Sequence, residues 1–293
     1  MIRLLSALML TLVVFGMSGF IFSVNLTDAS ATKLNGQNTN HFVFATGPVY
    51  ILVDGSVYPS NAPVQRSGNV YTLTDSISGN SGGIVVQRSN IILDGAGYIV
   101  QGTNVASSSG VALSGISNVT VKNTNIRNFG AGIFLYSSYN DSIVDNTVTA
   151  CSQEGIYFYS SSGNWIVGNI ITGPTDEGIR LLLSSGNGIY HNSFINNTYP
   201  AVLQASVNTW DNDSIGNYWS DYLAKYPNAT EIDSLGIWNT PYVIDANNTD
   251  HHPLVNQTII PELPSFLIMP LMVMATLLAV IIYKKKTGTP EEQ

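Results

Sequence analysis

One block of alternating apolar residues recurs through the middle of this chain, and its fixed spacing constrains the fold more than any other feature. Gly132-Ile133-Phe134-Leu135-Tyr136, Gly155-Ile156-Tyr157-Phe158-Tyr159, Gly178-Ile179-Arg180-Leu181-Leu182 and Ala201-Val202-Leu203-Gln204-Ala205 each begin 23 residues after the last, and Gly110-Val111 lies 22 before the first. A second register keeps step through Val121, Ile143, Ile166 and Ile189, with Ile126, Val148, Ile171 and Phe194 five residues later. A period in the low twenties means stacked units, none of which can bury its own apolar face alone.

Inside each period, apolar and polar residues alternate over four or five positions before a Gly/Asn/Ser cluster intervenes, which is strand periodicity. The fixed frame of a leucine-rich repeat is missing. Short strands joined by tight turns predict an all-β fold, a right-handed parallel β-helix whose coils lie about 4.8 Å apart. Ile133, Ile156, Ile179 and Val202 should stack inward beside Leu135, Phe158 and Leu181. Asn146, Asn169 and Asn192 should occupy turns, where Asn tolerates left-handed backbone angles and bonds its neighbours along the stack.

The ends of the chain suggest where it works. Residues 1–31 read as a signal peptide: Arg3, an apolar run from Leu4 to Phe22, and Ala29-Ser30-Ala31 as a cleavage site. An uncleaved signal-anchor is the alternative. From Phe266 to Tyr283 no residue is charged, and Lys284-Lys285-Lys286 follow. That pattern predicts a transmembrane helix with the lysines cytoplasmic and the bulk of the chain extracellular; a buried core helix is the other reading. The domains are therefore a signal at 1–31, an N-terminal cap with the first irregular coils at 32–109, regular coils at 110–206 and an aromatic-rich C-terminal cap at 207–260. A membrane anchor at 261–286 and a cytoplasmic tail at 287–293 complete them.

Charge is scarce, at 10% of residues, and the net charge is −8. No basic stripe exists to meet phosphates, so nucleic acid is not expected as a partner. Cys151 is the one cysteine, so no disulfide can staple the fold. Asn-x-Ser/Thr sequons at Asn25, Asn118, Asn140, Asn196, Asn212, Asn228, Asn247 and Asn256 are glycosylation candidates in an exported chain.

Two groups of residues could carry function. Glu154 and Glu177 each precede the Gly that opens a block, so they should sit side by side on neighbouring coils. Two carboxylates at that spacing suit retaining glycoside hydrolysis, one as nucleophile and one as acid. With Asp176 they could instead share a hard cation such as calcium, and Arg180 could hold a uronate beside them. Solvated turn residues are the bland alternative. The second group is an outward stripe of Phe134, Tyr157, Arg180 and Leu203, beside Tyr136 and Tyr159. It is suited to stacking on sugar rings unless a loop covers it. His41, His191 and His251-His252 show no metal-ligand spacing, and no Gly-x-Ser-x-Gly elbow is present.

Several runs carry a resemblance to a known family: Asn90-Ile91-Ile92-Leu93-Asp94-Gly95-Ala96-Gly97, Gly216-Asn217-Tyr218-Trp219-Ser220-Asp221-Tyr222, Thr240-Pro241-Tyr242-Val243-Ile244-Asp245 and Asp250-His251-His252-Pro253-Leu254. Over residues 47–255 the chain resembles NosD-type right-handed β-helix proteins of archaeal cell surfaces. Pro261-Glu262-Leu263-Pro264 is similar to archaeal C-terminal sorting signals. The resemblance implies carbohydrate binding or sugar hydrolysis, and the NosD name implies periplasmic copper handling, though no methionine cluster lies outside the terminal segments. Relatives often carry an acidic loop before the Thr-Pro-Tyr motif that looks fit for calcium. Here that loop reads Ser234-Leu235-Gly236-Ile237-Trp238-Asn239. The expected function is a membrane-anchored surface protein that binds polysaccharide, surface glycan or protein. A polysaccharide lyase or glycoside hydrolase, or a purely structural envelope protein, is the alternative.

Overall fold

The computed structural model describes residues 43–44, 48–173, 176–232 and 234–257. The expected signal, membrane anchor and tail, with His41 and Asn25, lie outside them. Among the described residues no helix is long and apolar enough to cross a membrane.

These residues form a parallel β-solenoid with three faces. Each coil visits face one, then two, then three. The first regular coil is Ile84–Val86, Ile91–Asp94 and Ile99–Gln101; the second is Ser109–Ser114, Val119–Lys122 and Asn125–Arg127. Ala131–Tyr136, Ser142–Val144 and Thr147–Thr149 follow, then Glu154–Tyr159, Trp165–Val167 and Ile170–Thr172, then Glu177–Leu182, Gly188–Tyr190 and Ser193–Ile195. Tyr199–Gln204 on face one and Tyr218–Trp219 on face three begin a last, incomplete coil. Strands pair in parallel with their counterparts one coil away.

The inward columns are those of the repeat. Val111, Ile133, Ile156 and Ile179 line face one, Val121, Ile143, Ile166 and Ile189 face two, and Ile126, Val148, Ile171 and Phe194 face three, all shut off from solvent. Each such side chain stabilises the fold by about 1.5–3 kcal/mol. The leading Gly of each block has a spatial reason. A Cβ on Gly132 would stand 2.3 Å from Val148 Cγ1 and 2.5 Å from the Gly155 carbonyl, and one on Gly155 would meet Ile171 and Gly178 in the same way.

Three corner ladders hold the coils in register. In the first, the Asn146, Asn169 and Asn192 amides donate their backbone N–H to the Oδ1 of Asn169, Asn192 and Asn217, at 3.0, 2.9 and 3.1 Å. The side-chain amides follow the same path and also reach core-strand carbonyls such as Val121, Ile143 and Ile166. These asparagines bond along the stack as expected but are not the left-handed residues. Positive φ falls one position earlier, at Asp145, Gly168 and His191, so that each Asn side chain can turn inward. A second ladder runs Asp141, Asn164, Asn187, Asn208, Asn248, and a third runs Ser138, Ser161, Ser184, Ser206.

The two ends differ. Val57–Tyr58 and Val64–Ser67 run antiparallel to Val49–Ile51 and Val70–Leu73, and so terminate the parallel pairing of faces one and two. A turn at Asp54-Gly55 lies between Val49–Ile51 and Val57–Tyr58. At the other end Phe194 stacks on Trp219 at 4.7 Å, and Trp219 on Tyr242 at 4.2 Å with rings parallel to 1°. A one-turn helix, Tyr222–Lys225, adds Tyr222 stacked on Trp238 at 5.1 Å.

One expectation fails at the last coil. Ile179 pairs with Ala201, Arg180 with Val202 and Leu181 with Leu203, so Val202 does not continue the inward isoleucine column and Leu203 is not in the outward stripe. The turn between Ile195 and Tyr199 is one residue shorter than the two turns before it, and the step on face one falls from 23 to 22.

The ladders yield a stability prediction. Asn169 satisfies the Asn146 N–H and the Ile143 carbonyl in a water-free corner, and each buried polar group left unpaired costs about 1–3 kcal/mol. Asn169→Ala should lower the unfolding free energy by about 3 kcal/mol in chemical denaturation, whereas Asn228→Ala on the exposed surface should stay within about 0.5 kcal/mol. Equal effects of the two would show that the ladder is incidental.

Candidate functional site

Face one is the broad face. Its strands Ala131–Tyr136, Glu154–Tyr159 and Glu177–Leu182 are six residues long, against three for their counterparts on faces two and three. Because pairing is in register, its outward residues form three columns. One reads Ala131, Glu154, Glu177, Tyr199; the next Phe134, Tyr157, Arg180, Val202; the third Tyr136, Tyr159, Leu182, Gln204.

The aromatic residues named from the sequence meet along these columns. Phe134 and Tyr157 lie 5.2 Å apart, and Tyr136 and Tyr159 stack at 5.5 Å with their planes within 5°. All four are half-buried. The Arg180 guanidinium continues the central column, 5.8 Å above the Tyr157 ring, a cation–π arrangement.

The carboxylates are likewise adjacent. Glu154 and Glu177 are register partners, so their backbones are separated by the strand spacing of about 4.8 Å. Arg180 donates to Glu177 Oε1 at 2.8 Å and forms an ion pair with it. The other Glu177 oxygen is buried and has no hydrogen-bond partner. Among the described residues Glu154 has no such ion pair. Burial, and after it the neighbouring Glu177, push its pKa up to about 7, with Arg180 pulling only partly back. Of the two carboxyls, Glu154 is the one placed to exchange a proton near neutrality, as acid–base chemistry needs.

The Asp176 charge reaches Glu154 as the least of the causes that raise it, but Asp176 completes no cation site. It is exposed, and among the described residues no group of three or more His, Cys, Asp or Glu could hold a metal ion; the shared-cation arrangement of Glu154, Glu177 and Asp176 is not formed. Cys151 is buried, and burial raises its thiol to about 12, which leaves it inert. The described sequons, Asn118, Asn140, Asn196, Asn212, Asn228, Asn247 and Asn256, all have exposed asparagines. Sequence reasoning missed Tyr199, 60% exposed in the carboxylate column next to Glu177. The short turn before it hid the register, and Pro200 was the available signal.

The family model described as "Periplasmic copper-binding protein (NosD)" matches residues 35–224. No curated protein matches the chain. Among solved structures, a crystal structure of the periplasmic alginate epimerase AlgG matches at 18% identity with a TM-score of 0.27, covering 42% of this chain and 37% of that one. A double mutant of the same epimerase matches at 17% identity with a TM-score of 0.30, covering 45% and 38%. The matched coils span well under half of those proteins, and a likeness of that degree carries no functional information.

The raised carboxyls set a pH dependence. Asp141, Glu154 and Asp250 all rise to about 7, in each case chiefly by burial. The folded chain keeps protons there that the unfolded chain releases near pH 4. Their contribution to stability is therefore full below about pH 4 and lost as pH rises through about 7. The thermal midpoint should fall between pH 5 and 8, and Glu154→Gln should flatten part of that slope. A midpoint that climbs over this interval in calorimetry would contradict the assignment.

Proposed function

This chain belongs to the NosD family, and we propose that it is an exported, outward-facing β-solenoid that binds glycan along face one. The observation that carries the reading is the aromatic strip Phe134, Tyr157, Tyr136 and Tyr159, extended by Arg180, on the widest flat surface of the solenoid. Rings on successive coils give a polymer repeated apolar platforms. The Arg180 guanidinium adds a polar group that fixes orientation. The apolar segments at 1–31 and 266–283 support export and a single-pass anchor with residues 287–293 inside, and the periplasmic description of the family agrees with work outside the cytoplasm.

Copper, named in the family description, does not fit the residues present. The described histidines are His191, His251 and His252, the single thiol is buried and protonated, and the methionines lie outside the described residues. No group of ligands converges among the described residues, so copper enters no step here.

A second reading, glycan cleavage, is favoured by one observation: Glu154 near pKa 7 beside Glu177, which is paired with Arg180. In that case Glu154 donates the proton to the leaving oxygen and Glu177 is the nucleophile or base.

Tyr136→Ala with Tyr157→Ala should weaken retention on the preferred polysaccharide about tenfold or more, since each ring contact is worth about 0.5–1.5 kcal/mol. Unchanged retention by a variant with a native circular dichroism spectrum would sink the binding reading. Glu177→Gln should leave retention within about twofold if the protein only binds. If it cleaves, the variant should lose at least about a hundredfold in the release of new chain ends.

A further inference from the structure

We propose that Arg66 and Arg88 form a second site, at the N-terminal end of face one, that binds the carboxylate of an acidic glycan. It rests on the glycan reading of face one for the polymer, but its own residues are separate from the aromatic strip.

The two arginines come from distant parts of the lead-in. Arg66 stands on Val64–Ser67, and Arg88 lies just after Ile84–Val86, a face-one strand. Both converge over the turn at Asp54-Gly55. The Nη1 atoms of Arg66 and Arg88 lie 2.6 and 2.7 Å from the point a Gly55 Cβ would occupy, so both forks end over the same glycine. Gly55 also has φ +86°, a backbone region that glycine enters without strain.

Two guanidiniums brought this close repel each other, and in a chain with so few charges the arrangement asks for a cause. Lys122 has Asp94 at 3.0 Å and Arg180 has Glu177 at 2.8 Å, but among the described residues no carboxylate lies within ion-pair distance of Arg66 or Arg88. Asp54 feels both, yet its carboxylate is fully exposed and is engaged first by the Ser56 hydroxyl and N–H. The arginines are instead held in place by backbone carbonyls. Arg66 donates to Gly55 O at 2.7 Å and Gly68 O at 2.9 Å, and lies 5.5 Å from the Tyr71 ring centre. Arg88 donates to Val53 O at 3.3 Å, and its Nε–H is buried with no acceptor. Carbonyl contacts fix the forks without neutralising them. The result is a preorganised double positive charge beside solvent, the arrangement that recognises a planar carboxylate through paired N–H groups.

The test uses the full chain in detergent and compares retention on polygalacturonate, on its methyl ester and on a neutral polysaccharide that the strip retains. Wild type should hold polygalacturonate at least tenfold more tightly than the ester, with the preference lost in 0.5 M NaCl. Arg66→Gln with Arg88→Gln should erase the preference and leave neutral-polymer retention unchanged. Should that double variant misfold, Arg88→Lys, which keeps the charge but not the fork, should still reduce the preference severalfold. No preference in wild type, or one that survives the arginine changes, overturns the proposal. Neutral retention that persists without a charged preference defeats this site alone; an arginine-dependent preference without strip-dependent neutral retention defeats the strip reading alone; loss of both defeats both.

Discussion

The corner hydrogen bond on which this solenoid depends is directional. At each ladder position a backbone N–H of one coil donates to a side-chain oxygen of the next, so the acceptor always comes from the C-terminal side. The corners are water-free, and an unmet N–H there would cost as much as a large core residue contributes. The N-terminal end of the ladders makes no such demand, because Asp141 and Asn146 simply accept from Val119 and Thr124. The C-terminal end does, since Asn208 and Asn217 have no further coil. The hairpin of Tyr242–Asp245 and Asn248–Asp250 answers both. Asn248 Oδ1 accepts from Asn208 and from the Trp210 indole, and Asp250 Oδ2 accepts from Asn217 and from the Trp219 indole. The aromatic residues that cover the apolar end are thus tied to the groups that end the polar ladders.

In-register stacking also creates the chemistry of the surface. A residue type repeated at one position of the period is placed against its own copy about 4.8 Å away, whether or not that is comfortable. For Tyr136 and Tyr159 the outcome is a parallel stack. For Glu154 and Glu177 it is two adjacent carboxyls, of which Arg180 bonds Glu177, while burial and then the neighbouring Glu177 push Glu154 up. The asymmetry between two residues with the same sequence context, Glu-Gly-Ile, arises because Tyr157 stands in the first coil where Arg180 stands in the second.

Much of this was legible in the period. The core columns, the parallel register through Leu182, the pairing of the two glutamates and the alignment of the four aromatic residues all follow from counting in steps of 22 and 23. The same counting would have exposed the Asn164/Asn187 and Ser161/Ser184 columns, which were passed over because polar turn residues look interchangeable until their burial is known. Other features were beyond the period. The Arg180–Glu177 bond joins residues three apart across the glycine bend, and simple strand alternation does not bring such a pair together. The convergence of Arg66 and Arg88 depends on a hairpin in the irregular lead-in. Tyr199 was hidden by a single-residue loss in one turn, which shifts every side chain after it to a neighbouring column.

The width of face one then decides where a polymer can lie. A six-residue strand is about 20 Å long, and a three-residue strand about 10 Å. Only the longer strand shows several outward columns side by side, and only face one combines them as carboxylate, ring and ring. The inserted Gly bend makes this possible: it lets the strand begin with an outward Glu, pass two residues inward and emerge again at Tyr157 and Tyr159. The same glycine that admits the chain to the core at Val148 and Ile171 therefore sets how far the carboxyl lies from the aromatic strip, and a side chain at that position would disturb the core and the site together.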